Sequence, residues 1–222
     1  KPFFSIEDNI VGESYESKLL KIKKYLNKNN SDLMFITAPE NVAWLLNIRG
    51  FDNPNSPIPN CHLLIDKKNN PYLICEKKKA KKIILEKKIR KKQVIEFKNF
   101  EKLIEDLKGN KIIIDYKTCS LFFENILKKK FKILKKEDPI YLFKSIKSNK
   151  EIKNMISSHI IDGAALTKFL YWMKIKNRKK ITEYEAQNKL EYFRKKKIKN
   201  IFIQVSILSL GLDLMELLFI IE

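Results

Sequence analysis

The sequence predicts an α/β layer domain, a mixed sheet flanked by helices, followed by the opening helices of a second unit. Three observations predict it. Short apolar runs of strand length alternate with segments of helical period from about residue 12 to residue 146. Two of the runs, "CHLLID" and "PYLICE", flank the turn "KKNN" as a β-hairpin does. From Ser148 onward only helical periodicity remains.

The elements follow in order. Ser14–Asn27 predicts a helix with Tyr15, Leu19, Ile22 and Leu26 on one face. "SDLMFIT" (Ser31–Thr37) predicts a buried strand, and "APENVAWLLNIRG" a short helix turning into "FDNPNSPIPN". Three prolines within six residues of that loop forbid regular structure. The hairpin strands come next, then a helix over Ala80–Lys88, a strand at "QVIEF" and a helix over Glu101–Lys108 that Gly109 stops. "KIIIDY" is an apolar strand, Thr118–Lys129 a helix and "FKIL" a last short strand. "SNKE" then reads as a capping box, Ser148 with Glu151, opening a long helix to about Lys176. Its apolar face carries Ile152, Met155, Ile156, His159, Ala165, Phe169 and Met173, so His159 is expected as a satisfied core histidine. Asp162 and Gly163 are expected to allow close helix packing. "TEYE" starts another helix, Thr182 capping and Glu185 completing the box, with Leu190 and Phe193 facing inward.

With 222 residues and 44% hydrophobic content the chain can bury a core. Its net charge is +20, but the basic residues are 42 Lys against Arg49, Arg90, Arg178 and Arg194. Dedicated nucleic-acid surfaces favour the planar arginine fork. Lys, Asn and Ile, all with A/T-rich codons, are abundant together, so the charge reads as genome composition on a solvated surface. No specific nucleic-acid partner is expected, and the runs Lys77–Lys82 and Lys195–Lys197 are expected to be solvated faces. Cys61, Cys75 and Cys119 are widely spaced and odd in number, which fits free thiols in a reducing compartment. Together with His62 and His159 they form no metal-binding pattern.

Local evidence for catalysis is thin. No glycine-rich phosphate loop is present, and neither a catalytic residue nor a metal ligand can be assigned. Asp52, Asp66 and Asp115 stand where carboxylates cap turns. Arg49 is the distinctive cation, three residues from Asp52 and just before the proline-rich loop. Either it clamps that loop, through Asp52 or a carbonyl, or Arg49 and Asp52 face a substrate. Trp44 is expected in the core.

Four stretches together resemble a known family. "NVAWLLNIRGFDNPNSPIPNCHLLID" is similar to the middle-domain segment of Xaa-Pro aminopeptidases of the long, three-domain type. "DPIYLFKSIKSNKEIKNMISSHIIDGAALTKFLYWM" resembles that family's crossing into its catalytic domain, matched at Asp138, Pro139, Lys144, Lys147, Glu151, Ile152, His159, Asp162, Gly163 and Ala165. "TEYEAQNKLEYFR" resembles the next helix, and "VGESYESKLLKIKKYL" the start of the middle domain, at Gly12, Ser14, Lys18 and Leu19. The likeness covers about residues 10–203 and departs at Ser148, where Asn is commoner. It implies a creatinase N-terminal-like middle domain over residues 1–146 and the incomplete start of a pita-bread catalytic domain over residues 147–203. It also implies a cytoplasmic, homodimeric enzyme that removes the residue before a proline at the second position of a peptide. Two divalent ions, usually manganese, carried by two Asp, one His and two Glu, supply the bridging hydroxide in that family. Those ligands are not among the matched positions, so this chain is expected to be an inactive fragment that binds no metal itself. The competing reading is a stand-alone creatinase-like interaction or substrate-gating module.

The ending is set apart. No basic residue follows Lys199, and "SILSLGLDLMELLFIIE" is almost wholly apolar. Gln204, Asp213 and Glu216 interrupt the last 22 residues, and an Asp at a membrane-helix centre costs about 2.5–3.5 kcal/mol, so no membrane anchor is expected. Codons compatible with the tail, read two bases later, give SFNTISGFGSNGAIIHYR, which resembles the family's segment leading into its active site. Met215 followed by Glu216 forces a glycine codon there. Residues 204–222 are therefore expected to be a frameshifted reading.

Overall fold

The computed structural model describes residues 1–53, 56–176 and 181–197. The tail beyond residue 197, with the expected frameshift, lies outside the described residues. The chain divides into two compact units, Lys1–Lys150 and Glu151–Glu222.

In the first unit the strands are β1 (Phe4–Ser5), β2 (Leu33–Ile36), β3 (Ile48–Arg49), β4 (His62–Asp66), β5 (Pro71–Ile74), β6 (Val94–Ile95), β7 (Lys111–Ile114) and β8 (Lys132–Lys135). Its helices are α1 (Asp8–Val11), α2 (Tyr15–Lys28), α3 (Pro39–Leu45), α4 (Lys81–Leu85), α5 (Phe100–Asp106), α6 (Leu121–Lys128) and α7 (Ile140–Ser145). Six strands form one sheet in the order β6-β5-β4-β2-β7-β8. It is mixed: β4 is antiparallel to β2 and β5, while β2–β7, β5–β6 and β7–β8 are parallel. The "MFIT" and "KIIIDY" runs lie side by side, Met34 opposite Ile113.

Period-two alternation explains why the central strands are apolar throughout. Met34 and Ile36 of β2 join Leu63, Ile65, Leu73 and Ile113 on one face, whereas Leu33 and Phe35 join Leu64, Ile74, Ile112 and Ile114 on the other. Helices cover both faces. Leu19, Ile22 and Leu26 of α2, with Val42, Leu45, Ile83 and Ile140, pack on the first; Phe100, Ile104, Ile126 and Leu127 pack on the second. Each such buried aliphatic or aromatic side chain contributes roughly 1.5–3 kcal/mol of hydrophobic stabilisation. The hairpin turn is closed by Asp66, whose Oδ1 accepts the Asn70 N–H at 2.8 Å while Asn69 takes a left-handed φ of 70°.

The second unit contains α8 (Asn149–Lys176) and α9 (Glu183–Lys197). The Thr182 box forms: the Glu185 N–H donates to Thr182 Oγ1 (3.2 Å) and the Thr182 N–H to Glu185 Oε2 (2.9 Å). Leu190 is buried with Phe169 and Ala186, and Phe193 packs beside them. Two expectations fail here. His159 is exposed, as are Ile152, Met155 and Ile156 on the same face. Among the described residues, the packed cluster of this unit gathers around the C-terminal half of α8, at Leu166, Phe169, Trp172 and Met173. A Cβ at Gly163 would meet nothing within 4 Å, so close packing does not require that glycine. Asp162 is instead ion-paired to Arg194 at 2.8 Å, joining α8 to α9.

Candidate functional site

The region around Arg49 and Asp52 is built by a helix end, a two-strand ribbon and the proline-rich loop. Helix α3 stops at Leu46, and Asn47 turns the chain with a φ of 49°. Asn tolerates this left-handed conformation better than most residues, and here its side chain is held by long-range bonds. Asn47 Nδ2 donates to Glu13 O (2.9 Å) and Asp8 Oδ1 (3.2 Å), and its Oδ1 accepts from Lys18 Nζ at 2.6 Å. Lys18 is buried in α2, donates also to Trp44 O at 2.9 Å and sits 4.1 Å from the centre of the half-buried Trp44 ring. Trp44 therefore belongs to the core edge and backs a buried cation.

Strand β3 then pairs with β1, Arg49 opposite Phe4. The Arg49 Nη1 donates to the carbonyls of Ile48 (2.8 Å) and Ala43 (3.3 Å), and burial pulls its pKa below the ordinary guanidinium value. The group stays charged, since guanidinium does not deprotonate in proteins. The arginine is thus a carbonyl clamp on the end of α3. Asp52 engages other partners: Oδ1 pairs with Lys79 Nζ at 2.6 Å, and Oδ2 accepts the Asn60 N–H at 2.7 Å. That hydrogen bond to Asp52 is the main reason the Lys79 pKa rises. Asp52 thereby fastens both the start of β4 and the segment after β5. Lys79, expected as one of a solvated run, has only 17% of its side chain exposed; the other lysines of that run are exposed. Gly50 donates its N–H to Pro57 O at 2.9 Å, and a Cβ there would lie 2.7 Å from Pro59 Cα. The loop folds back so closely that only glycine fits. Phe51, 48% exposed, caps this edge against Phe4.

A second polar centre joins α3 to α7. Asp138 is buried and accepts from Asn41 Nδ2 (2.7 Å) and the Ile140 N–H (2.9 Å); Lys144 Nζ donates to Asn41 Oδ1 (2.7 Å). Burial pushes the Asp138 pKa up to about 6, against the opposing pull of those hydrogen bonds. Asp115 Oδ1 accepts the Lys117 N–H at 2.9 Å, while its buried Oδ2 has no hydrogen-bond partner among the described residues.

Lys18, Asn41, Asn47 and Lys79 were not singled out as site residues. A signal for Lys18 existed: it falls on the same helical stripe as Tyr15, Leu19 and Ile22. The chemistry of the centre is positional. The thiols of Cys61 and Cys75 are buried and pushed far up in pKa, and no group of three or more His, Cys, Asp or Glu able to hold a metal occurs among the described residues. The described side chains therefore do not fit a two-ion centre, and no hydrolytic step is assigned to them.

A six-stranded mixed sheet covered by helices on both faces, with a closed loop after α3, is the geometry against which known proteins can be compared. Residues 1–151 match the model of the creatinase/prolidase N-terminal domain. The chain belongs to that family. The chain is 29% identical over 216 residues to Xaa-Pro aminopeptidase 1 of Dictyostelium discoideum, covering 95% of this chain and 33% of that protein. It is 30% identical over 206 residues to a probable Xaa-Pro aminopeptidase P of Paracoccidioides brasiliensis (strain Pb03), again 33% of that protein. It thus spans about a third of the length of these relatives. Among solved structures, the X-prolyl aminopeptidase of Caenorhabditis elegans, described as a cytosolic enzyme with a di-nuclear active site, superposes with a TM-score of 0.78 at 20% identity, over 92% of this chain and 34% of that one. The Xaa-Pro dipeptidase of Bacillus anthracis gives 0.61 at 18% identity, over 83% and 50%. These likenesses establish the creatinase N-terminal fold.

Proposed function

We propose that this creatinase N-terminal-domain chain is part of a cytoplasmic, homodimeric Xaa-Pro aminopeptidase that removes the residue preceding a proline. The observation that carries the reading is the 29% identity to an Xaa-Pro aminopeptidase, sustained across 95% of the chain. Residues 1–146 are the middle domain, and residues 147–203 are the first helices of the metal-bearing domain. In the full-length enzyme the residues that bind two divalent ions, manganese by preference, lie outside the described residues of this chain. The chain alone neither hydrolyses peptides nor binds manganese tightly. Its contribution is a rigid frame beside the substrate, with the Arg49–Asp52 segment at its rim. The clamp on α3 and the Asp52–Lys79 pair hold that rim.

The test is kinetic, on the product of the complete gene. Asp52→Ala is expected to raise KM for a Xaa-Pro peptide at least about fivefold with a smaller effect on kcat, the signature of lost binding. An unchanged KM and kcat removes the segment from substrate recognition. Residues 204–222 are read as the catalytic domain in a shifted frame. Sequencing the gene decides this: the bases from the Gln204 codon to the Glu222 codon should encode SFNTISGFGSNGAIIHYR in the other frame, and any other shifted reading sinks the idea.

A further inference from the structure

Cys61 and Cys75 flank the β4–β5 hairpin, and the register of that hairpin says how they stand to one another. β4 and β5 are antiparallel with His62 opposite Ile74 and Leu63 opposite Leu73. One further step brings Cys61 opposite Cys75. Hydrogen bonding alternates along such a pair. The Asp66 N–H donates to Asn70 O, so Asp66 and Asn70 are a bonded pair, as are Leu64 with Tyr72 and His62 with Ile74 by alternation. Cys61 and Cys75 then fall at a non-bonded position. Consistent with this, the Cys75 N–H turns away from β4 and donates to Ile95 O at 2.9 Å. Non-bonded positions bring Cα atoms to about 4.5 Å, inside the range a disulfide spans. The side chains also share a face: both thiols lie in the cluster that holds Leu63, Ile65 and Leu73, while Leu64 and Ile74 point to the other side.

We propose that Cys61 and Cys75 are a latent cross-strand disulfide, closed by a small-molecule disulfide oxidant. One protein thiolate attacks a sulfur of the oxidant, forms a mixed disulfide and releases the first thiolate of the oxidant. The second protein thiolate attacks the protein sulfur of that mixed disulfide and displaces the other. Two protein thiols lose two protons and two electrons, and one oxidant disulfide becomes two thiols. Both thiols are free in this structure. Both are wholly buried, and burial holds their pKa high, so closure is slow and proceeds through local opening of the hairpin end. Once closed, the bond ties β5 to the residue that follows Asn60, whose N–H already anchors the loop to Asp52. The oxidised chain therefore fixes, by a covalent bond at Cys61, the point where the proline-rich loop enters β4. This inference rests on the hairpin alone and stands whether or not the proposed peptidase reading holds.

The purified chain is equilibrated in oxidised and reduced glutathione from both the reduced and the oxidised side, quenched with acid, alkylated in denaturant and mapped by mass spectrometry. The expected result is a peptide pair joined through Cys61 and Cys75, with Cys119 alkylated, in a monomeric chain lighter by two hydrogens. The equilibrium constant for closure should be at least about tenfold larger in native buffer than in strong denaturant, because only the fold holds the thiols together. Cys119→Ser should leave the linkage intact, and Cys75→Ser should abolish it. Absence of the linked pair from either side, or equal closure in native buffer and denaturant, overturns the proposal.

Discussion

Lys18 is a lysine that the surrounding sequence places inside the protein. It shares the apolar stripe of α2, and its ammonium is buried under Trp44 with two oxygens to serve. Lys18→Met keeps the stem and removes the charge, leaving Trp44 O and Asn47 Oδ1 short of a donor. Each buried group so orphaned costs about 1–3 kcal/mol, so the unfolding free energy from a urea titration should fall by an amount in that range or above; no change would show that water replaces the ammonium. Asp138 gives a pH signature. Its pKa rises from 3.8 to about 6 on folding because burial disfavours the carboxylate. The folded state therefore holds the proton more tightly, and the stability this confers is present below about pH 4 and lost as pH rises through 6. The loss is up to about 3 kcal/mol. Between pH 4 and 7 the natural chain should lose stability relative to Asp138→Asn, whose slope over that window should be flatter. Parallel slopes would place the titration elsewhere. The sequence marked Asp138 through its family resemblance but could not show its burial, which depends on Asn41, 97 residues away.

At the scale of elements, strong periodicity was readable and weak pairing was not. Helix α2, the strands "MFIT" and "KIIIDY", the hairpin and the Thr182 box all follow from local pattern. The strands β1 and β3 have two residues each and exist only through each other, so neither carries a period of its own. Helix α7 is six residues long and is fixed by the buried Asp138 beside it. The exposed His159 shows the reverse error: helical spacing reports a face, and whether that face is covered is a tertiary matter. Two variants test the elements that frame the rim. Gly50→Ala forces a Cβ within 2.7 Å of the Pro59 backbone and should cost about 1–3 kcal/mol with little loss of helix or sheet signal. Thr182→Ala removes the cap of α9 and should cost about 1 kcal/mol, read as a smaller helical circular-dichroism signal near the transition.

For the whole molecule, the fold class was legible because buried parallel and mixed sheets write themselves as apolar runs between amphipathic helices. The chemistry was not legible from composition or spacing, since the described side chains form clamps and struts in place of a reacting centre. Arg49 and Asp52 were visible as unusual residues near a rigid loop. That Asp52 would choose Lys79, 27 positions on, needed the fold. No helix among the described residues is long and apolar enough to cross a membrane. The net charge of +20 is expected to give only weak nucleic-acid binding that falls with salt, and nanomolar affinity for one oligonucleotide at physiological salt would contradict it. The central claim is that this chain frames an Xaa-Pro aminopeptidase whose metal chemistry resides in other residues. The most direct measurement is release of the first residue from an Xaa-Pro peptide, assayed with manganese for the complete gene product and for the 222-residue chain side by side. The account predicts release by the complete product, abolished by a chelator, and none by the chain alone. No release by the complete product, or chelator-sensitive release by the chain alone, would contradict it.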